Sequence, residues 1–408
     1  MLHHHYTQFA KPIDHYILEN GHEIAYIEYP NCEVAEVQLS SPVGAFTDTV
    51  PGSLHFYEHL MARNLKTSTG FIDRKYGLID SNAFTSWDII AFTGNTTSRG
   101  AKPLLNAWYK QLPNPLLSPS GFESERKIIL AEEREKRARN LYHLANLRVC
   151  CHDADRFWPT IGSEETIQQI TSANISHSYG AILRQPLLVT IVGCVPIQDI
   201  VHEVGMWHTV TEPLVEAPYS DKTRTGSMTF THENHTQYGL SCMHPHIADR
   251  TQDELFGFMY DLIAHSKHGL LHKLLRDEDA EVYGIGMDTH ETWHRYGSIE
   301  IDGIQNSSTR TMIVDKIVRV LTTEALSDHI KKHFDSVKRD YVMRYKHQEL
   351  HESVSARSLA GFMRVKGYTT PAPKHILQRS SADELTELAR HSLDPNKMGF
   401  VLLDATLA

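Results

Sequence analysis

Five consecutive residues, His55-Phe56-Tyr57-Glu58-His59, carry the most legible chemistry in this chain. On an α-helix, positions i and i+4 share a face, so the imidazoles of His55 and His59 can meet one metal ion. Glu58, at i+3, lies on the same side. Two ligands and a carboxylate base are the parts of a metal-assisted hydrolase, in which the base takes a proton from the attacking water. Catalytic zinc usually takes three protein ligands and keeps a fourth position for water, so a third ligand must come from elsewhere. Residues 122 to 149 supply a candidate helix, rich in Glu, Arg, Lys, Leu and Ala after Ser120-Gly121. Glu125 and Glu132 stand two turns apart on it, on one face with Ile128 and Ile129. A partly apolar face is a buried one, and a carboxylate there is costly unless it meets a cation or a metal. Glu132 is preferred over Glu133, which points about 100° away around the helix.

The elements that must position these groups follow from apolar periodicity and turn residues. Residues 23–29 and 34–39 read as strands bounded by Asn20-Gly21 and Pro30-Asn31, and residues 54–65, free of Pro and Gly, as the helix of the motif. A strand is expected at 87–93 and a buried one at 187–192, ending at Gly193. The polar stretch 209–227, with Pro213, Pro218, Ser220 and Gly226, reads as a linker. It divides a metal-binding domain, residues 1–208, from a second domain, residues 228–408. In the second domain a strand at 228–231, a helix over 253–276, strands at 282–288 and 297–301 and helices from 309 onwards precede a closing strand at 398–403. That order echoes the first half, so the fold class is α+β with two similar domains, each a mostly antiparallel sheet flanked by helices.

Bulk properties set outer limits. The 408 residues fit two domains of about 200 each, and 41% apolar with 22% charged residues is a globular composition. A net charge of -10 argues against nucleic acid as a partner. No apolar run reaches the roughly 18 residues that a membrane span needs. The N-terminus has no secretory or transit-peptide pattern, so a cytoplasmic location is expected. Cys32, Cys150, Cys151, Cys194 and Cys242 are odd in number and scattered, which fits a reducing compartment and forms no zinc motif. The run His3-His4-His5 is assigned no function.

At the motif the sequence resembles the pitrilysin/insulinase family, inverzincins whose motif reverses the common His-Glu-x-x-His order. It is similar to the short two-domain type, the subunits of mitochondrial processing peptidase and their bacterial relatives. Leu18-Glu19-Asn20-Gly21, Gly44 and Gly52-Ser53-Leu54-His55 resemble the family's opening hairpin and its approach to the motif. Ser81-Asn82-Ala83-Phe84-Thr85-Ser86, with the strand from Trp87, resembles its substrate-side strand, and Pro159 to Glu165 the segment closing the first half. Glu125-Arg126-Lys127-Ile128-Ile129-Leu130-Ala131-Glu132 is similar to the helix of the third ligand, 77 residues beyond His55 (132 − 55). Leu275-Arg276 and Tyr283 look like the family's Arg and Tyr pair, seven apart (283 − 276).

The resemblance implies one zinc ion on His55, His59 and Glu132, with Glu125 supporting the ligands and Glu58 as general base. It implies an endopeptidase for short or unfolded peptides held in a closed chamber, the peptide adding as a strand near Asn82 and Ala83, and Arg276 and Tyr283 holding a substrate carbonyl. It also implies a homodimer, or a heterodimer with a related chain that removes leader peptides, and it leaves open a non-catalytic subunit. The chain departs from the family at Ser266-Lys267-His268-Gly269, where a Gly-rich stretch is usual, and at Ala62-Arg63, where an aromatic often follows the second His.

Overall fold

The structure, a computed structural model, describes residues 1–6, 12–68, 77–113, 115, 118–151, 154–215, 225–231, 238–245, 253–265, 269–278, 282–290, 296–304, 307–351 and 380–404. Residues 216–224 of the expected linker and 266–268 of the variant Gly-rich segment lie outside these. Two compact units form, Met1–Lys136 with Trp158–Pro218, and Arg137–Phe157 with Tyr219–His351 and the C-terminal strand.

In the first unit, strands β1 (Leu2–Tyr6), β2 (Ile13–Ile17), β3 (Glu23–Glu28), β4 (Val34–Ser41), β5 (Asp80–Thr85), β6 (Ile90–Thr97) and β7 (Leu188–Gly193) form one sheet. Their order is β1-β2-β3-β7-β4-β6-β5, and β3 and β7 are its parallel pair. Helices α1 (Ser53–Ser68), α2 (Ala101–Gln111), α3 (Pro119–Cys150, of which the residues from Arg137 belong to the second unit), α4 (Glu164–Gln169), α5 (Ser172–Arg184) and α6 (Ile197–Gly205) complete the chain up to the linker. Val37, Leu39, Phe92 and Ile191 of the sheet share a core with Leu54, Phe56, Tyr57 and Leu60 of α1 and Trp108 of α2. Every residue of α1 from Ser53 to Glu58 is buried, so the helix that bears the motif is a core element and not a surface one. Phe56 is fully enclosed, and its truncation to Ala would cost roughly 3–5 kcal/mol.

The second unit repeats the plan. Strands β8 (Gly226–Thr231), β9 (Tyr238–Pro245), β10 (Gly284–His290), β11 (Tyr296–Ile304) and β12 (Gly399–Asp404) lie in the order β10-β11-β9-β12-β8, with β12 and β8 parallel. Read from β3, the first sheet runs β3-β7-β4-β6-β5. Read from β8, the second runs β8-β12-β9-β11-β10. The two orders correspond strand for strand, the closing strand sitting in each between the first and second. Helices α7 (Asp253–Ala264), α8 (Ser307–Thr322), α9 (Glu324–His351) and α10 (Ala382–Ser392) contribute Phe256, Phe258, Ile313, Ile330 and Leu385 to a core with Leu240, Ile299 and Ile301. The expected fold class is the one observed: two similar α+β halves built on mostly antiparallel sheets.

Three local expectations need correction. The strand at 87–93 starts only at Ile90, because Trp87 and Asp88 form the turn between β5 and β6, closed by a bond from Ser86 N to Ile89 O at 2.7 Å. The helix over 253–276 is not continuous: α7 ends at Ala264, and after Gly269 a short helical turn, Leu270–His272, passes into a π-helical segment, Lys273–Glu278. A Cβ on Gly269 would meet His265 O at 2.5 Å, so the chain there makes a close approach that only glycine permits. On α3 the buried stripe is Phe122, Glu125, Ile129 and Glu133, whereas Ile128 is half exposed. The stripe centres on Ile129, so Glu133 turns away from Glu132 but into the interior, and Glu132 stands on its rim.

Candidate metal centre

The motif is set by the start of α1. Asp48 Oδ2 accepts from Gly52 N at 2.9 Å and Oδ1 from Leu54 N at 2.8 Å, meeting amides that the first turn leaves unpaired. Burial pushes the Asp48 carboxyl up to about 7 against the pull of these backbone hydrogen bonds. Gly52 has φ +95°, and a Cβ on it would lie 2.5 Å from Ile161 O, so the approach to His55 requires glycine at this position.

His55 and His59 lie one turn apart, their ring centroids separated by 4.7 Å and their planes inclined at 59°. Glu132, 77 residues on and carried by α3, points Oε2 at both: 3.1 Å from His59 Nε2 and 3.9 Å from His55 Nε2. One ligand atom from each of the three lies within 4.8 Å of the others, and they are the one such group of three or more among the described residues. The other carboxylate oxygen, Oε1, accepts from the Lys136 ammonium. Behind His59, Nδ1 meets Glu125 Oε1 at 3.1 Å, and Glu125 Oε2 takes a bond from Arg63 at 3.1 Å. Glu125 thus lies between the second imidazole and Arg63, one carboxylate oxygen on each. Glu58 is buried beside them, and its Oε2 accepts from Thr85 Oγ1 at 2.6 Å.

Electrostatics divide these groups. The His59 hydrogen bond, with Lys136 adding to it, holds the Glu132 carboxyl down at about 2 despite its burial. Burial, then the neighbouring His59, lowers His55 to about 3. Burial also opposes the charge on His59, but its bonds to Glu132 and Glu125 outweigh that and raise it. Glu58 is raised, chiefly by burial and against the Thr85 hydrogen bond. A cation between two imidazoles and a carboxylate removes the need for His59 to hold a proton there. The donor set of two nitrogens and one oxygen fits a divalent metal such as zinc, and a carboxylate such as Glu125 on the far nitrogen of His59 is the usual outer partner of a histidine ligand. His55 Nδ1, by contrast, is buried with no hydrogen-bond partner among the described residues.

Asn82 and Ala83 lie on β5, the outermost strand of the first sheet on that side. Asn82 Oδ1 accepts from Ala83 N at 2.9 Å, so the side chain occupies a main-chain donor of this edge. Arg276 and Tyr283 come together within the second unit: the guanidinium carbon is 5.6 Å from the ring centroid, and both side chains are exposed. Gly303, at φ +68°, makes room for Tyr283, whose Cβ lies 2.4 Å from where a Cβ on that glycine would be. Asp48, Thr85 and Lys136 escaped the sequence reading. Lys136 alone had a local mark, its i+4 spacing from Glu132.

No family model matches the sequence, and no curated protein matches it. Among solved structures it is similar along its whole length to a protease from Helicobacter pylori, with 18% identity, a TM-score of 0.75, and 97% of this chain and 100% of that one covered. A peptidase M16 inactive domain from Pseudomonas fluorescens aligns with a TM-score of 0.77 at 13% identity, over 97% of this chain and 98% of its own. An M16-like peptidase from Alicyclobacillus acidocaldarius, described as putative, aligns at 0.71 and 15% identity, over 99% and 98%. The chain has the pitrilysin/insulinase-like fold of M16 peptidases. That fold serves peptidases and at least one inactive domain, so activity must be argued from the site. Among the described residues, no helix is long and apolar enough to cross a membrane.

Proposed function

We propose that the chain is a zinc-dependent endopeptidase acting on short or unfolded peptides. The observation that carries this reading is the meeting of His55, His59 and Glu132 within 4.8 Å, with Glu58 one position before His59. Zinc held by these three residues would polarise the scissile carbonyl and lower the pKa of a bound water. The remaining work falls to the chain. Thr85 holds Oε2 of Glu58, which leaves Oε1 to take the proton from the attacking water and then return it to the leaving amine. A carboxyl raised by burial suits both transfers, since a base poised nearer neutrality also serves as an acid.

The peptide would pair with the outer edge of β5, its main chain taking the place of the Asn82 side chain at Ala83 N. Arg276 and Tyr283 are assigned to a substrate carbonyl, and the chain is assigned to a homodimer or to a heterodimer with a related chain, enclosing the substrate. A non-catalytic role is the second reading, favoured by the inactive domain from Pseudomonas fluorescens that shares the fold. Purified protein tested with a fluorogenic peptide, beside its elution volume, separates these cases. Glu58→Gln should keep one zinc per chain by metal analysis and lose about 10²- to 10⁴-fold in rate. A fully active variant overturns the role of Glu58.

A further inference from the structure

Lys136 stands one turn beyond Glu132 on α3, with Glu before Lys at i and i+4, the favoured order for such a pair. As a stabilising pair it is minor: the Lys136 side chain is 51% exposed, and exposed pairs of this spacing contribute little. As a neighbour of a cation site it is adverse, because an ammonium repels a divalent ion. Its placement has a clearer sense at the carboxylate. The two oxygens of Glu132 have separate partners, Oε2 facing the imidazoles at 3.1 and 3.9 Å and Oε1 held by the ammonium. A free carboxylate can turn both oxygens to a metal ion. One anchored by Lys136 can offer only one.

We infer that Lys136 is a positioning residue that keeps Glu132 a one-oxygen ligand and so preserves the open coordination position that a hydrolytic metal site requires. The inference rests on the metal-site reading above, and the test separates the two. The full-length chain is stripped of metal and loaded with cobalt(II), whose visible spectrum reports coordination number. Lys136→Met should shift that spectrum from a four-coordinate pattern to a weaker, five-coordinate one. Lys136→Arg, which keeps a donor at Oε1, should retain the wild-type spectrum. With zinc, kcat of Lys136→Met should fall about 10- to 100-fold. A role through charge alone predicts tighter metal binding and an unchanged spectrum, and superimposable spectra of wild type and Lys136→Met overturn the inference. Should Lys136→Met fail to fold, Lys136→Leu, which likewise lacks a donor, decides by the same comparison. Wild-type protein that takes up neither cobalt nor zinc in equilibrium dialysis overturns the metal reading itself, and this inference with it.

Discussion

Around the candidate centre, most of the geometry is determined by which oxygen of each carboxylate is already taken. Glu125 spends one on His59 and one on Arg63, Glu132 one on the imidazoles and one on Lys136, and Glu58 one on Thr85. Thr85 is the member whose removal isolates a single effect, because its hydroxyl touches the base and no ligand. Thr85→Val keeps the shape and removes the donor, leaving Glu58 free to rotate and more fully desolvated. A hydrogen bond to a charged group contributes roughly 1.5–3 kcal/mol, so kcat should drop about 10- to 100-fold while zinc content stays at wild type. Unaltered kcat with a fluorogenic peptide would remove Thr85 from the mechanism. The pair His55 and His59 was legible because a helix repeats every 3.6 residues, and Glu125 and Glu132 because two turns on α3 return to one face. Thr85 was not: its partner is 27 residues away, and no local pattern marks a hydroxyl that crosses from a strand to a helix.

At the level of elements, long-period signals were readable, whereas strands β1, β2 and β9 were not. Helix α3 and the closing strands β7 and β12 fall within a few residues of their expected bounds. Strands β1 and β2 were missed because their burial lacks alternation: β1 is nearly all exposed, and β2 buries His15 next to Tyr16. Another buried histidine, His22, ties the start of β3 to the start of β7. Its Nδ1 accepts from Leu187 N at 3.1 Å and its Nε2 donates to His208 O at 2.9 Å, an arrangement that requires the neutral ring. Burial, reinforced by the nearby His208, lowers it from 6.5 to about 4. The folded state therefore binds its proton less readily than the unfolded one, and the stability from this group is present above pH 6.5 and is lost as pH falls toward 4. That loss is on the order of 3 kcal/mol. His22→Gln should be less stable at neutral pH and should show a correspondingly smaller decline on acidification in urea unfolding. An acid decline as steep as that of wild type would rule His22 out as its source.

For the whole chain, the corresponding strand orders of the two sheets imply one plan used twice, with the His55, His59 and Glu132 cluster in one copy. Helix α7 follows the strand that corresponds to β4, as α1 does, yet its sequence Asp-Glu-Leu-Phe-Gly-Phe-Met-Tyr-Asp-Leu-Ile-Ala contains no histidine. Burial alone maintains a core helix in either half, so the second copy could lose ligands without losing its fold. What the second half contributes to catalysis then has to be sought outside that helix. Arg276 and Tyr283 are the candidates: a guanidinium over a phenol ring, both in solvent, is weakly held and inexpensive to redirect toward a ligand carbonyl. Arg276→Ala and Tyr283→Phe should leave zinc content and thermal stability near wild type, since neither side chain is buried. If they hold a substrate carbonyl in the transition state, kcat/KM for a peptide should fall roughly 10-fold or more in each, because a hydrogen bond from a charged or phenolic donor is lost. The double variant should fall by less than the product of the two, since groups that grip one oxygen act as a unit. Wild-type kcat/KM in both single variants would confine catalysis to the first half and leave the second with a structural or partner-binding part.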